Sequence, residues 1–355
     1  MSMEIKQDCL EGVSLEVTTK CNLNCTHCFA LAGISRKEDL HWNKAVDIVA
    51  EGYSLGFRLL HITGGEPFLW KHIFQLIGYA VELGYKQFII NTNATLLSDD
   101  ICRKLSGFNG KIALTCSING DESIHESVRG TGTYLKTYNG IENALKYNIK
   151  VNIYTTVEKK LIPVLPVFVE TLFRNFTGLK NLFLIQLRKS VDVQSTVFKK
   201  MLTPDDFIKL VQIAGLLSLK GYPVNILENP LSNVVANYLN MNWFPQSPAI
   251  TRYGKIIVLR DGNITANHSS RDSYGVYKPG SLEKILLSSK YLEDVDSNKD
   301  VCILCKFSKI CGSNGMIHPS SNDHNDSNDG NYFCKKVLEL CYDNNRIAKN
   351  VQYKT

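Results

Sequence analysis

Cys21, Cys25 and Cys28, in the run Cys21-Asn22-Leu23-Asn24-Cys25-Thr26-His27-Cys28, combine residue type and spacing in a way that can do chemistry. Three thiolates so placed can hold three irons of a four-iron cluster and leave the fourth iron open to bind another molecule. A zinc knuckle or a set of unrelated buried thiols is the alternative; zinc needs a fourth Cys or His nearby, and His27, adjacent to Cys28, is sterically awkward in that role. Ile62-Thr63-Gly64-Gly65-Glu66-Pro67 is a second candidate. Its glycines let backbone approach a ligand closely, and Glu66 can accept hydrogen bonds from an ammonium group; alone, the run reads as a glycine turn. Near the other end, Cys302, Cys305, Cys311 and Cys334 supply four thiolates, enough to fill a second cluster or to hold structural zinc.

The elements that must position these groups alternate along the chain. Val13 to Thr19 reads as a strand, so the first cysteines sit on the loop after it, where α/β barrels place their chemistry. Further strands are expected at Leu59 to Thr63, Gln87 to Asn91, Lys111 to Ile118, Lys150 to Val157 and Leu182 to Arg188. Apolar residues at three and four spacing predict helices at Asn43 to Leu55, Ile73 to Leu83, Ser98 to Leu105, Tyr134 to Tyr147, Leu165 to Phe176 and Thr203 to Leu219, with Ser98 and Thr203 as N-caps. Six such units predict an α/β chain with a partial (β/α)6 TIM-like barrel over 1–240 and a small cysteine-rich domain over 241–355. Within the latter, Lys255 to Thr265 reads as a hairpin turning at Asp261-Gly262, and Ser281 to Leu292 as a capped helix. The run from Ser320 to Gly330 lacks apolar residues and reads as a loop.

Composition narrows the function classes. At 355 residues and 44% hydrophobic the chain can bury a substantial core, and 40 Lys plus Arg against 34 Asp plus Glu give +6 with no continuous basic run, so nucleic acid is not an expected partner. No apolar run approaches the ~18 residues of a membrane span, and the first residues lack a signal-peptide core, which predicts a cytoplasmic protein. Eleven cysteines in such a chain point to metal or redox chemistry rather than disulfides. Cys116 is expected beneath a helix on the strand face opposite Ser117; Cys9, Cys102 and Cys341 lack any partner pattern.

The first cysteine run resembles the signature of radical S-adenosylmethionine (SAM) enzymes, and further motifs recur. Gly64-Gly65-Glu66 resembles the family's Gly-Gly-Glu, which implies contact with the SAM amino group. Asn91-Thr92-Asn93-Ala94-Thr95 resembles Thr-Asn-Gly-Thr with Ala94 for glycine. Ser117-Ile118-Asn119-Gly120-Asp121 resembles Ser-Leu-Asp-Gly with Asn119 for Asp, and His125-Glu126-Ser127-Val128-Arg129-Gly130 resembles His-Asp-x-x-Arg-Gly with Glu126 for Asp. The resemblance implies that His27 packs near the adenine, that Asn93 and Ser117 contact SAM, and that Arg129 holds its carboxylate, against the plain alternative of a solvated arginine. The C-terminal cysteines are similar to those of SPASM or twitch extensions, in which they ligate an auxiliary four-iron cluster. Two family ligand positions fall on Asn267 and Gly315, so one auxiliary cluster is expected, making two [4Fe-4S] clusters in all.

The resemblance therefore implies a radical SAM enzyme, of oxidoreductase or peptide-modifying class, that cleaves SAM to a 5′-deoxyadenosyl radical and abstracts hydrogen from a ribosomally made peptide or protein. An electron donor such as a flavodoxin or ferredoxin is an expected partner. Two alternatives stay open: a dehydrogenase or epimerase of a small sugar or nucleotide, favoured by a first strand as early as Val13, and a non-enzymatic iron-sulfur or zinc protein. No catalytic side chain is named; Tyr154, Gln186 and Arg188 stand where substrate contact or plain packing is equally expected.

Overall fold

Alternation with period two decides which face of each strand meets the helices and which faces inward. In β1 (Gly12–Glu16) Val13 and Leu15 are fully buried, and in β2 (Leu59–Thr63) Leu60 and Ile62 are too, each contributing about 1.5–3 kcal/mol of apolar burial. The intervening Ser14 and His61 line an interior cavity. The computed structural model describes residues 5–28, 30, 32–187, 195–248, 252–268, 273–295, 305–311 and 333–342. Cys302, Arg188, Gly315 and the run from Ser320 to Gly330 lie outside them.

The parallel strands continue with β3 (Gln87–Thr92), β4 (Ile112–Ser117), β5 (Lys150–Val157), β6 (Leu182–Gln186) and β7 (Val224–Leu227). They are covered by α1 (Trp42–Ser54), α2 (Ile73–Leu83), α3 (Asp99–Ser106), α4 (Glu122–Arg129), α5 (Thr133–Lys146), α6 (Leu165–Asn175), α7 (Pro204–Leu219) and α8 (Leu231–Tyr238). Ser98 caps α3 by accepting from Ile101 N–H, and Thr203 closes a reciprocal capping box with Asp206 on α7.

Two features exceed the six-unit expectation. β7 is a seventh parallel strand beside β6, too short to announce itself between Pro223 and Glu228. The hairpin of β8 (Lys255–Val258) and β9 (Ile264–Thr265) turns at Asp261-Gly262 as expected, and β8 joins the barrel sheet parallel to β1, Gly12 opposite Lys255. The described strands thus form one sheet in the order β7-β6-β5-β4-β3-β2-β1-β8-β9, an open, partial barrel.

The expected helix from Ser281 to Leu292 is broken in two, α9 (Ser281–Leu286) and α10 (Ser289–Val295). Ser288 causes the break: its Oγ donates to Ile285 O and accepts from Tyr291 N–H, ending one helix and starting the next. Gly280, with no side-chain cap, precedes α9; Glu51 of α1 caps it instead, its carboxylate accepting from Gly280 N–H, Leu282 N–H and Tyr277 Oη–H. The tail follows with α11 (Ser308–Cys311) packed on α8 and a helical stretch, α12, over 333–342, where Phe333 stacks edge-on to Phe207 of α7.

Candidate active site

The loop after β1 is stitched to its surroundings by backbone. Thr26 N–H donates to Val128 O of α4, and Cys28 N–H to Cys25 O. Gly65 N–H donates to Thr18 O and Glu66 N–H to Lys20 O, which presses the loop after β2 onto the residues just before Cys21. A Cβ on Gly64 would stand 2.6 Å from Thr18 O, and one on Gly65 2.2 Å from Lys20 O. Both glycines are therefore required by chain packing, independently of any ligand.

Cys21, Cys25 and Cys28 line one cavity of about 460 Å³, together with Gly64, Gly65, Asn93, Ser117, Arg129 and His27. Those residues come from the carboxyl ends of β1, β2, β3 and β4 and from the end of α4, the face on which such barrels build their chemistry. Among the described residues, no three His, Cys, Asp or Glu side chains close round a single metal ion. Three thiols opening on one cavity are a donor set that suits a cluster, which takes each thiolate on a separate iron and leaves one iron open. Burial pushes the Cys21 thiol up to about 11 and raises that of Cys28, so an iron must displace their protons.

Second contacts orient these groups. Asn93 Nδ2 donates to Asn22 Oδ1 at 2.9 Å and lies 3.8 Å from Cys21 Sγ, while its Oδ1 accepts from Thr95 N–H and Oγ1–H. Arg129 Nε donates to Asn119 Oδ1 at 2.6 Å, and Nη1 lies 3.8 Å from Cys25 Sγ. His27 is held neutral, pushed down to about 3 by burial and then by the charges of Arg129 and Lys200; its Nδ1 makes no hydrogen bond.

Glu66 stands apart from the other expected contacts. It is fully buried and does not line the cavity; Oε1 accepts from Thr92 Oγ1–H and Phe68 N–H, and Oε2 from Asn93 N–H at 2.9 Å. Burial pushes it up to about 7 against those three donors. Its carboxylate binds the loop after β2 to the loop after β3. Ala94 occupies the left-handed region at φ 63°, the conformation a glycine would take at lower cost, and Gly140 of α5 packs against its carbonyl.

Several cavity residues carried no motif. Ser14 Oγ lies 2.8 Å from His61 Nδ1 and 3.3 Å from His268 Nε2, and burial holds both imidazoles neutral, His61 at about 4 and His268 well below its usual value. Tyr154, Gln186, Glu228, Arg252 and Lys255 share this inner part. The available signal was a polar residue between two apolar ones, as with Ser14 and His61. Cys116 is fully buried behind Ser117, and Cys102 and Cys341 are buried as well. Cys305, Cys311 and Cys334 are half-buried on the tail elements, and Cys302 lies outside the described residues.

Residues 15–161 match the model of the Radical SAM superfamily. The chain is 33% identical over 151 residues to an AdoMet-dependent heme synthase of Methanosarcina barkeri (strain Fusaro / DSM 804), 42% of this chain and 43% of that protein, so it spans less than half of that relative's length. In fold it is similar to native anSMEcpe with bound AdoMet and Cp18Cys peptide (TM-score 0.70, 19% identity, 96% of this chain and 99% of that one). It is also similar to Streptococcus suis SuiB bound to precursor peptide SuiA (TM-score 0.65, 15% identity, 86% and 72%). The stretch that matches the Radical SAM superfamily model, residues 15–161, thus carries the three cysteines on the loop after the first strand of a partial barrel.

Proposed function

We propose that this protein is a radical SAM enzyme that abstracts hydrogen from a ribosomally made peptide or protein. The observation that carries the reading is the single cavity onto which Cys21, Cys25 and Cys28 open together with Gly64, Gly65, Asn93, Ser117 and Arg129. When bound, a [4Fe-4S] cluster and SAM supply the reductive cleavage that starts the reaction. The chain's own residues bind and orient. Gly64 and Gly65 offer backbone close to the cysteine loop, Asn93 and Ser117 offer hydrogen bonds, and Arg129, fixed by Asn119, offers the cation for a carboxylate. Glu66 works one step back, holding Asn93 in place.

Cys302, Cys305, Cys311 and Cys334 are proposed to hold an auxiliary [4Fe-4S] cluster in a SPASM- or twitch-like domain over 241–355, with an electron-transfer or structural role. A small donor such as flavodoxin or ferredoxin would supply electrons in the cytoplasm; no helix among the described residues is long and apolar enough to cross a membrane. The peptide reading is supported by the peptides bound in the similar anSMEcpe and SuiB structures. A small-molecule substrate is the second reading, favoured by the heme synthase relative.

Anaerobically reconstituted protein with dithionite should release 5′-deoxyadenosine from SAM. Release stimulated by peptides supports the first reading and release stimulated only by small molecules the second; protein that binds metal without any release is not this enzyme.

A further inference from the structure

A carbon radical formed in the cavity must find a partner, and bond strength decides which side chains can serve. Phenol O–H and thiol S–H bonds are weaker than the C–H bonds of unactivated aliphatic carbon, so these groups can give a hydrogen atom to such a radical. Alcohols, amides, imidazoles and ammonium groups hold theirs too strongly, which sets aside Ser14, Ser117 and Thr156 although all three line the cavity. Among the described residues the cysteines on the cavity wall are Cys21, Cys25 and Cys28, which the cluster takes up; Cys9, Cys102, Cys116 and Cys341 do not line it. The phenol on that wall is Tyr154. Alternation in β5 turns Val151, Ile153, Thr155 and Val157 to the buried face and Tyr154 and Thr156 to the cavity. In register Tyr154 lies between Ser117 of β4 and Phe183 of β6, so it stands one strand away from the proposed SAM contacts. Phe183 meets its ring edge-on, with centroids 5.5 Å apart. The hydroxyl makes no hydrogen bond among the described residues and is not sealed from the cavity. Burial, and then the charge of Glu228, raises the phenol well above its usual range, so it keeps its hydrogen at neutral pH.

We propose that Tyr154 is a hydrogen-atom donor to carbon radicals formed in the cavity, which opens a redox-neutral outcome at the substrate, such as inversion of a carbon centre. This rests on the radical SAM reading above. In the step, the Tyr154 O–H bond breaks homolytically, a C–H bond forms on the radical carbon, and a phenoxyl radical remains on Tyr154. One electron from the external one-electron donor, a flavodoxin- or ferredoxin-class protein or dithionite in vitro, and one proton from water restore the phenol. Tyr154→Phe keeps the ring and its contact with Phe183 and removes the O–H.

The test needs no added substrate, because the 5′-deoxyadenosyl radical is itself a carbon radical made in this cavity. The reconstituted holoenzyme is given SAM and dithionite in deuterium oxide, where the Tyr154 hydroxyl exchanges to O–D and carbon-bound hydrogens do not, and mass spectrometry reads deuterium in the 5′-deoxyadenosine. Iron content and the SAM dissociation constant report the fold and the cofactor site. The expected result is one deuterium in most of the wild-type product and at least tenfold less in Tyr154→Phe, at wild-type iron content and SAM affinity. Freeze-quenched wild type should also show a phenoxyl electron paramagnetic resonance signal that narrows when its tyrosines are deuterated on the ring and that Tyr154→Phe lacks. Unlabelled wild-type product overturns the donor role, and so does equal labelling in the variant. Weakened SAM binding in Tyr154→Phe assigns the phenol to the cofactor and overturns it as well. A wild type that releases no 5′-deoxyadenosine at all overturns the radical SAM reading itself, and the donor role with it.

Discussion

The Asn119 side-chain oxygen accepts the Arg129 Nε–H at 2.6 Å, and Asn119 Nδ2 donates in turn to Thr156 O at 3.0 Å. Asn119 is therefore locked between α4 and β5, and the guanidinium it holds points its Nη atoms toward Cys25, 3.8 Å away, and the cavity. An Asp at this position would add a second charge beside the arginine. The amide instead leaves the positive charge of Arg129 uncancelled on that side.

Arg129→Lys keeps the charge and loses the planar fork, so SAM affinity should fall by about tenfold, roughly 1.4 kcal/mol. Asn119→Ala keeps the fork and releases it, with a smaller loss, about threefold. Calorimetric titration of SAM into reconstituted protein checks both; equal affinity in all three proteins would remove Arg129 from the site.

Glu66 makes stability depend on pH. Burial raises its folded-state pKa from 4.5 to about 7, so the folded chain holds that proton more tightly than the unfolded one. Its contribution is fully present below about 4.5 and is lost as pH rises through about 7, a change on the order of 3 kcal/mol. Glu66→Gln does not titrate and should show no such fall in urea midpoint between pH 5 and pH 8. At pH 5 the variant should be about 1–3 kcal/mol less stable than wild type, because its amide meets Asn93 N–H donor to donor. A pH-dependent fall that persists in the variant would place its origin elsewhere.

Each four-iron cluster contributes four irons and four sulfides, so the reconstituted protein should hold about eight of each. Replacing Cys21, Cys25 and Cys28 by alanine should leave about four irons and abolish SAM cleavage. Replacing Cys305 and Cys311 should also leave about four, with substrate turnover lost and uncoupled SAM cleavage retained. Iron analysis and electron paramagnetic resonance distinguish the two; full iron in the first variant refutes the assignment of that loop.

Ala94 and Gly140 form a coupled pair. Ala94→Gly relieves left-handed strain of about 1–2 kcal/mol and loses part of it to chain entropy, for a net gain of roughly 0.5–1 kcal/mol. Gly140→Ala puts a Cβ 1.9 Å from Ala94 O and should cost more than about 3 kcal/mol by prying α5 off the loop after β3. Thermal melts read both; a neutral Gly140→Ala would mean that the loop yields freely.

Wherever an element is built by local pattern, the sequence located it closely. β2, β5 and α2 have the expected bounds, and Ser98 and Thr203 cap their helices, because period, propensity and capping act within a few residues. The seventh strand was missed because four residues carry too little pattern. The joined β8 was missed because pairing with β1 links Gly12 to Lys255 across 243 positions, and nothing local announces a partner that distant.

By itself the sequence determined the cysteine loop, the Gly-Gly turn and the alternation that makes a partial barrel, since each is a matter of residue type at fixed spacing. Only the tertiary structure decided which way the polar side chains face. It turned Glu66 inward to Thr92 and Asn93, set Ser14 between His61 and His268, and tied Gln186 to Asn229. Those choices follow from buried donors and acceptors that must be matched across strands far apart in the chain, and that matching exists only once the chain has folded.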